Sequence, residues 1–181
     1  NHSIHADTSL KKSLAHIEAN YFKQQESNPN QSQIVLAYRK ENVAKLNQSI
    51  RSGYAERGEL GNEKTVIDGK EFAVGDRFMF LKNEYNFDVR NGTTGVIERI
   101  VGDEFQVKTD DERVINFDTR QYTDFDHAYA MTIHKSQGVT VDQSHLLLDN
   151  FTDSNLAYVG MTRHRENLDI YHHTSPENKH S

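Results

Sequence analysis

The stretch from Ala128 to Gly138 constrains the fold more than any other. Ala128 to Ile133 is a mostly apolar run, and His134-Lys135-Ser136-Gln137-Gly138 follows it directly. Such a run predicts a buried strand of a parallel sheet that delivers polar side chains and open backbone at its carboxyl end. Ile34-Val35-Leu36-Ala37-Tyr38, His145 to Asp149 and Leu168 to Tyr171 have the same texture. Between them lie helical patterns. From Thr8, apolar residues fall at Leu10, Leu14, Ile17 and Tyr21, with Phe22 beside the last. That spacing makes one stripe of an amphipathic helix ending near Gln25, with Thr8 or Ser9 as N-cap. Glu26 to Gln33 is a polar linker. After the loop Arg39-Lys40-Glu41-Asn42, a second helix carries Val43, Leu46, Ile50 and Tyr54 on one face. Strand, tight loop and helix make half of a βαβ unit. Thr152 or Asp153 is expected to cap a further helix with Leu156, Val159 and Gly160 facing inward. Residues 1–7 show no periodicity and are expected to fray, as is the polar tail from His172.

The middle of the chain reads differently. Gly58, Gly61 and Gly69 break the helical pattern, and short strand-like runs follow with turns every eight to twelve residues. Asn91-Gly92-Thr93-Thr94-Gly95 and Gly102-Asp103 are the clearest turn signals. This texture predicts a small antiparallel barrel over about 66–122, inserted into an α/β domain. The fold class expected is therefore α/β, with N-terminal (1–65) and C-terminal (123–181) parts flanking the insertion.

Composition narrows the functions. The chain has 181 residues and no cysteine, which excludes disulfides, thiolate metal sites and thiol nucleophiles. Its net charge is −6, and residues 66–122 carry 8 Lys/Arg against 12 Asp/Glu. A general polyanion binder is usually basic, so nucleic-acid contact must rest on a few placed groups. The absence of a long apolar run leads us to expect a soluble, cytoplasmic protein without membrane contact. His172-His173 with His180 is a poor metal set, because adjacent strand residues point to opposite faces; no metal site is expected.

The segment Ala130-Met131-Thr132-Ile133-His134-Lys135-Ser136-Gln137-Gly138, together with Tyr158-Val159-Gly160-Met161-Thr162-Arg163, resembles the last two motifs of superfamily 1 helicases of the RecD-like branch. The whole-chain pattern is similar to the helicase part of TraA-type conjugative relaxases. Leu46-Asn47 and Ile50-Arg51 also match that family, and a structural role is expected for them. The resemblance implies part of a RecA-like parallel sheet with helices. It also implies that the insertion is a Src-homology-3-like barrel, to which Gly75-Asp76-Arg77 and Arg90 to Gly95 correspond.

What the resemblance implies about function is specific. Thr132, His134, Lys135 and Ser136 would contact single-stranded DNA through phosphate and sugar. Gln137 and Gly138 would lie toward the nucleotide, and Arg163 would reach the γ-phosphate as an arginine finger. The bland reading of Arg163 is a helix-end arginine favoured by the helix dipole. The glutamate often found shortly after that glycine is replaced here by Val139-Thr140-Val141-Asp142, which puts ribose contact at Thr140 in doubt. Asn83, Tyr85, Arg90 and Asn91 are secondary candidates for DNA contact, against turn chemistry and a barrel-edge aromatic. The phosphate loop G-x-x-x-x-G-K-[ST] is absent, since the only Gly-Lys pair is Gly69-Lys70. Gly102-Asp103-Glu104 reads as a turn rather than a Mg²⁺ site. The chain is thus expected to be the second half of a motor whose N-terminal motor domain lies elsewhere in the same polypeptide. ATP with Mg²⁺ would bind in that parent, and this chain alone would hold no cofactor and hydrolyse nothing. The alternatives are a non-catalytic module binding nucleic acid or protein, and a RecD-like recombination helicase.

Overall fold

The structure is a computed structural model that describes residues 2–149 and 167–173. The expected helix after Thr152, the Tyr158–Arg163 motif and the tail beyond His173 lie outside the described residues. The chain forms two compact units, one of residues 1–50 with 130–181, the other Arg51–Tyr129.

The first unit is a parallel sheet in the order β1-β12-β11-β2-β10. Its strands are β1 (His2–Asp7), β2 (Gln33–Ala37), β10 (Ala130–Thr132), β11 (Gln143–Leu148) and β12 (Leu168–His173). Every described pairing in it is parallel. The central strands are apolar because both faces are covered: Ile34 to Ala37 and Leu146, Leu147 are buried. Helix α1 (Leu10–Ser27) buries Ile17, Tyr21 and Phe22, and Ser9 caps it by accepting the Lys12 N–H at 3.2 Å. Helix α2 starts at Lys40 and runs to Glu56; its Leu46 and Ile50 are buried. The predicted helices and strands are found at these places.

Two expectations need correction. Residues 2–7 do not fray: they form β1, paired in register with β12 from His2↔Leu168 to Asp7↔His173, so His172 and His173, at the start of the tail expected to fray, are the end of a paired strand. The sequence carries no strand signal here because an edge strand needs no continuous apolar run, and His-Ser-Ile-His-Ala-Asp has none. Second, the run 128–133 is not one strand. The Ala128 N–H donates to Arg77 O at 3.0 Å, within the antiparallel unit, whereas Ala130 to Thr132 pair with β2. One apolar run serves two sheets, which periodicity alone does not reveal.

The second unit is antiparallel. Strands β3 (Lys64–Ile67) and β4 (Lys70–Ala73) form a hairpin. Its turn residues Asp68 and Gly69 both have positive φ, 50° and 79°, the handedness that two-residue hairpins require. A five-stranded sheet follows in the order β8-β7-β6-β5-β9, formed by β5 (Arg77–Phe80), β6 (Thr94–Val101), β7 (Glu104–Thr109), β8 (Val114–Asp118) and β9 (Phe125–His127). Phe72, Phe78, Phe80, Phe105 and Phe117 fill its core with edge-to-face and tilted ring contacts. Gly102-Asp103 is the hairpin turn between β6 and β7. Residues 51–129 carry 11 Lys/Arg against 17 Asp/Glu, so this unit accounts for the whole net charge of −6 and the parallel-sheet unit is balanced.

Candidate functional site

β10 ends in a tight turn that holds most of the candidate residues. The Ile133 N–H donates to Ala37 O at 3.1 Å, the last rung between β10 and β2. The chain then coils. The Ser136 N–H is shared between Thr132 O at 3.1 Å and Ile133 O at 3.2 Å, and the Val139 N–H donates to Ser136 O at 3.0 Å. Thr132 closes the start of the coil as an N-cap does, its hydroxyl oxygen accepting the Lys135 N–H at 3.2 Å. Gly138 ends it with φ +88°, a left-handed conformation that costs an L-residue about 1–2 kcal/mol. A Cβ there would meet nothing within 4 Å, so backbone conformation rather than space calls for glycine.

Within this turn the side chains divide into two groups. His134, Gln137 and Gly138 are exposed, and Thr132 and Lys135 are half-buried. Ser136 instead faces inward, 1% exposed, and its hydroxyl donates to Ile133 O at 2.6 Å. Its observed work is to hold the turn. Arg163 lies outside the described residues. The loop beyond Gly138 is tied back at Asp142, whose carboxylate accepts from Ser32 N at 2.9 Å and Ser32 Oγ at 3.1 Å.

Sequence reasoning missed what holds β10 from the side. Asn47 on α2 is buried, and its amide makes two hydrogen bonds to one residue: Nδ2 donates to Ala130 O at 3.1 Å, and Oδ1 accepts the Ala130 N–H at 2.8 Å. The sequence assigns Leu46-Asn47 a structural role but does not name Ala130 as the partner of Asn47. The usable signal was a polar residue beside the apolar stripe of an otherwise core-facing helix.

A second polar cluster lies at the carboxyl ends of β2, β11 and β12. Asp149 accepts from Asn42 Nδ2 at 3.0 Å and from His173 Nε2 at 2.7 Å, with Arg39 Nε at 3.6 Å. Deeper in the same sheet His145 has no exposed surface. Burial, and secondarily the nearby His5, lower its pKa to about 4, so the ring is neutral near pH 7. Its contacts assign the tautomer: Nε2–H donates to Gln33 Oε1 at 2.7 Å, and Nδ1 accepts from the Tyr171 hydroxyl at 3.4 Å. Among the described residues no three His, Asp or Glu side chains converge as a metal site, and no helix is long and apolar enough to cross a membrane.

In the antiparallel unit Tyr85 is 91% exposed on a single 3-10 turn, Tyr85–Phe87. The loop around it is internally bonded, Glu84 and Val89 exchanging backbone hydrogen bonds at 2.9 and 3.1 Å and the Asn91 N–H donating to Asn83 Oδ1 at 2.7 Å. Asn83 and Asn91 are thereby engaged in turn chemistry.

Residues 76–172 match the viral superfamily 1 RNA helicase core domain family. The chain belongs to the superfamily 1 helicases. Among curated proteins, the probable conjugal transfer protein TraA of Sinorhizobium fredii is 41% identical over 152 residues, covering 80% of this chain and 14% of that protein. The conjugal transfer protein TraA of Agrobacterium fabrum is 39% identical over 150 residues, covering 77% and 13%. RecBCD enzyme subunit RecD of Buchnera aphidicola is 30% identical over 111 residues, 58% of this helicase segment and 18% of RecD. The segment thus spans about one seventh of the length of its TraA relatives. Among solved structures, the Bacteroides Pif1 helicase in complex with ADP-AlF3 and single-stranded DNA superposes with a TM-score of 0.59 at 20% identity, over 87% of this chain and 48% of that one. That likeness establishes a shared helicase fold, with a parallel sheet and helices.

Proposed function

We propose that this chain is the C-terminal motor segment of an ATP-dependent DNA helicase that forms part of a conjugative relaxase-helicase. The observation that carries the reading is the turn at the carboxyl end of β10, which gathers Thr132, His134, Lys135 and Gln137 at the end of a parallel sheet where open α/β folds place their ligands. The higher identity and coverage of the TraA relatives, compared with RecD, favour conjugation over recombination.

In this reading the turn grips single-stranded DNA without reading bases. The Lys135 ammonium and the His134 ring meet phosphate, and the Thr132 hydroxyl, whose oxygen already accepts one bond, donates to phosphate or sugar. Ser136 acts from inside by fixing the turn. The antiparallel insertion is a Src-homology-3-like barrel, and its acidic surface keeps DNA on the parallel-sheet unit.

The residues fit only part of a nucleotide site. Exposed Gln137 and the backbone at Gly138 suit contact with one side of a nucleotide, but no phosphate loop is present in the sequence. The phosphate cradle and Mg²⁺ would therefore come from the N-terminal motor domain of the same polypeptide, and this chain alone is inactive. ATP, when bound there, supplies the phosphoryl group whose hydrolysis drives the motor. Arg163 stabilises the charge that develops on that group. The setting is the cytoplasm.

The test compares ATP hydrolysis by the full-length polypeptide, with and without single-stranded DNA, for wild type and Arg163→Ala. DNA-stimulated hydrolysis that falls by about a hundredfold or more, with nucleotide affinity kept, supports the finger. A variant as fast as wild type, or a parent with no hydrolysis, would replace this reading with the non-catalytic binding module.

A further inference from the structure

We infer that Asn47 is the positioning residue of the DNA-gripping turn, acting as a surrogate strand along the outer edge of β10. Among the described residues β10 is an edge strand, paired on one side only, and its ladder is three residues long. Along a strand, successive peptide groups point alternately to the two sides. The Ile133 N–H points to β2, where it donates to Ala37 O. Ala130 points the other way, and there its N–H and C=O both meet the Asn47 amide, at 2.8 and 3.1 Å. A side-chain amide offers one donor face and one acceptor in a single plane, as a peptide does. Among the described residues Asn47 therefore supplies at Ala130 what a neighbouring strand would.

The placement is stiff. Asn47 is 5% exposed, next to Leu46 and three residues before Ile50, at 1% and 0% exposure, so α2 cannot move without disturbing the core. Two residues beyond Ala130, Thr132 begins the turn that presents His134 and Lys135. A slip of β10 by one residue would exchange the faces of every side chain that follows. A short edge strand specifies its register weakly, and the two bonds from Asn47 add to it at the residue where the strand begins. Other side chains lack this pair of contacts. Leucine has similar volume and no polar atom, alanine leaves a gap, and serine keeps a hydroxyl on a shorter reach.

The functional consequence rests on the reading of the turn as the contact to single-stranded DNA. The experiment uses the full-length polypeptide with Asn47→Ala and Asn47→Leu, and has two readouts. Hydrogen exchange over residues 129–138 should speed up about tenfold in both variants, while β11 keeps its protection, because only the local opening has become easier. The oligothymidylate concentration that half-saturates ATP hydrolysis should rise about tenfold, with the rate at saturating DNA within about twofold of wild type. Asn47→Ser serves where either variant folds poorly. Unchanged exchange over 129–138, or protection lost evenly over β2, β10 and β11 in all variants, would overturn the inference. So would a lowered saturating rate at unchanged half-saturation. Lys135→Ala separates the two ideas. If it leaves DNA affinity untouched while the exchange result stands, the DNA reading of the turn is wrong and the positioning role survives.

Discussion

Arg51 Nε lies 3.1 and 3.0 Å from the two carboxylate oxygens of Asp76, a side chain with no exposed surface. Two further donors converge on the same carboxylate, the Ala73 N–H at 2.7 Å and the Tyr129 hydroxyl at 2.5 Å, and Arg51 Nη2 also reaches Glu71 at 3.2 Å. Burial, and then the Asp76 charge, push the Tyr129 hydroxyl well above the usual tyrosine range, so it remains a donor. The Asp76 carboxylate thus accepts from three residues, the kind of hydrogen bonding that a buried ion pair needs to offset its desolvation.

Removing Asp76 takes the acceptor from Arg51 Nε, the Ala73 N–H and the Tyr129 hydroxyl together, and leaves Arg51 its contact to Glu71. Asp76→Ala is expected to cost about 3–5 kcal/mol, the range for breaking a buried pair by deleting one partner. Urea denaturation checks it. A loss under about 1 kcal/mol would mean that water replaces the carboxylate without cost. Tyr129→Phe, which removes one donor of the set, should cost about 1 kcal/mol.

Gly95 in β6 is paired with both Phe78 and Thr109. A Cβ built on it would stand 2.4 Å from Lys108 O and 2.9 Å from Thr109 Cα, and both are backbone atoms that cannot rotate away. Gly95→Ala must therefore move β7 against β6, and about 1–3 kcal/mol or more of destabilisation is expected. Gly92→Ala is the instructive contrast: its Cβ would meet nothing within 4 Å, and its cost comes from φ +100° alone. Thermal melts of the two variants should rank Gly95→Ala as the more damaging.

His145 makes stability depend on pH. Its folded pKa of about 4 lies below the ordinary 6.5, because burial disfavours the charged ring. The unfolded chain therefore binds the proton more tightly, and stability is fully present above pH 6.5 and falls as pH drops toward 4. The Asp169 carboxylate, 3.9 Å from Nδ1, is too distant to reverse that preference. Between pH 7.5 and 5 the loss should be about 2 kcal/mol from this residue. His145→Gln should flatten that part of the profile, and an unchanged slope would assign it to other groups.

Much of this fold was legible because burial leaves a period in the sequence. Ile17, Tyr21 and Phe22 on α1, Leu46 and Ile50 on α2, and the apolar β2 and β11 are each visible as stripes or runs. What was not legible carries no period. β1 is polar because it borders the sheet. The boundary between Ala128, bonded to Arg77, and Ala130, bonded to Asn47, falls inside one apolar run. Arg51 and Asp76 are 25 residues apart, and nothing local marks them as partners. In the candidate site, the residue types at 132–138 were apparent but their directions were not. Only the turn geometry shows that Ser136 faces inward while His134 faces out.

Lys135, half-buried in the same turn, leads to the last prediction. If its ammonium meets a DNA phosphate, it displaces condensed counterions when the strand binds, and affinity acquires a dependence on salt. For single strands each such contact contributes about 0.7 to the slope of log affinity against log salt. Lys135→Ala in the full-length polypeptide should therefore weaken oligothymidylate binding and make that slope shallower by about 0.7. Arg113→Ala is the matched control. That residue also carries one positive charge and lies in the acidic unit, bonded to Asp111 at 2.9 Å and near Asp88 at 3.5 Å, so its loss should leave the slope unchanged. Fluorescence anisotropy at several salt concentrations separates the outcomes. Equal slopes for wild type and Lys135→Ala would remove the turn at the end of β10 from the DNA path, whereas a change confined to Lys135 would place the phosphate backbone there.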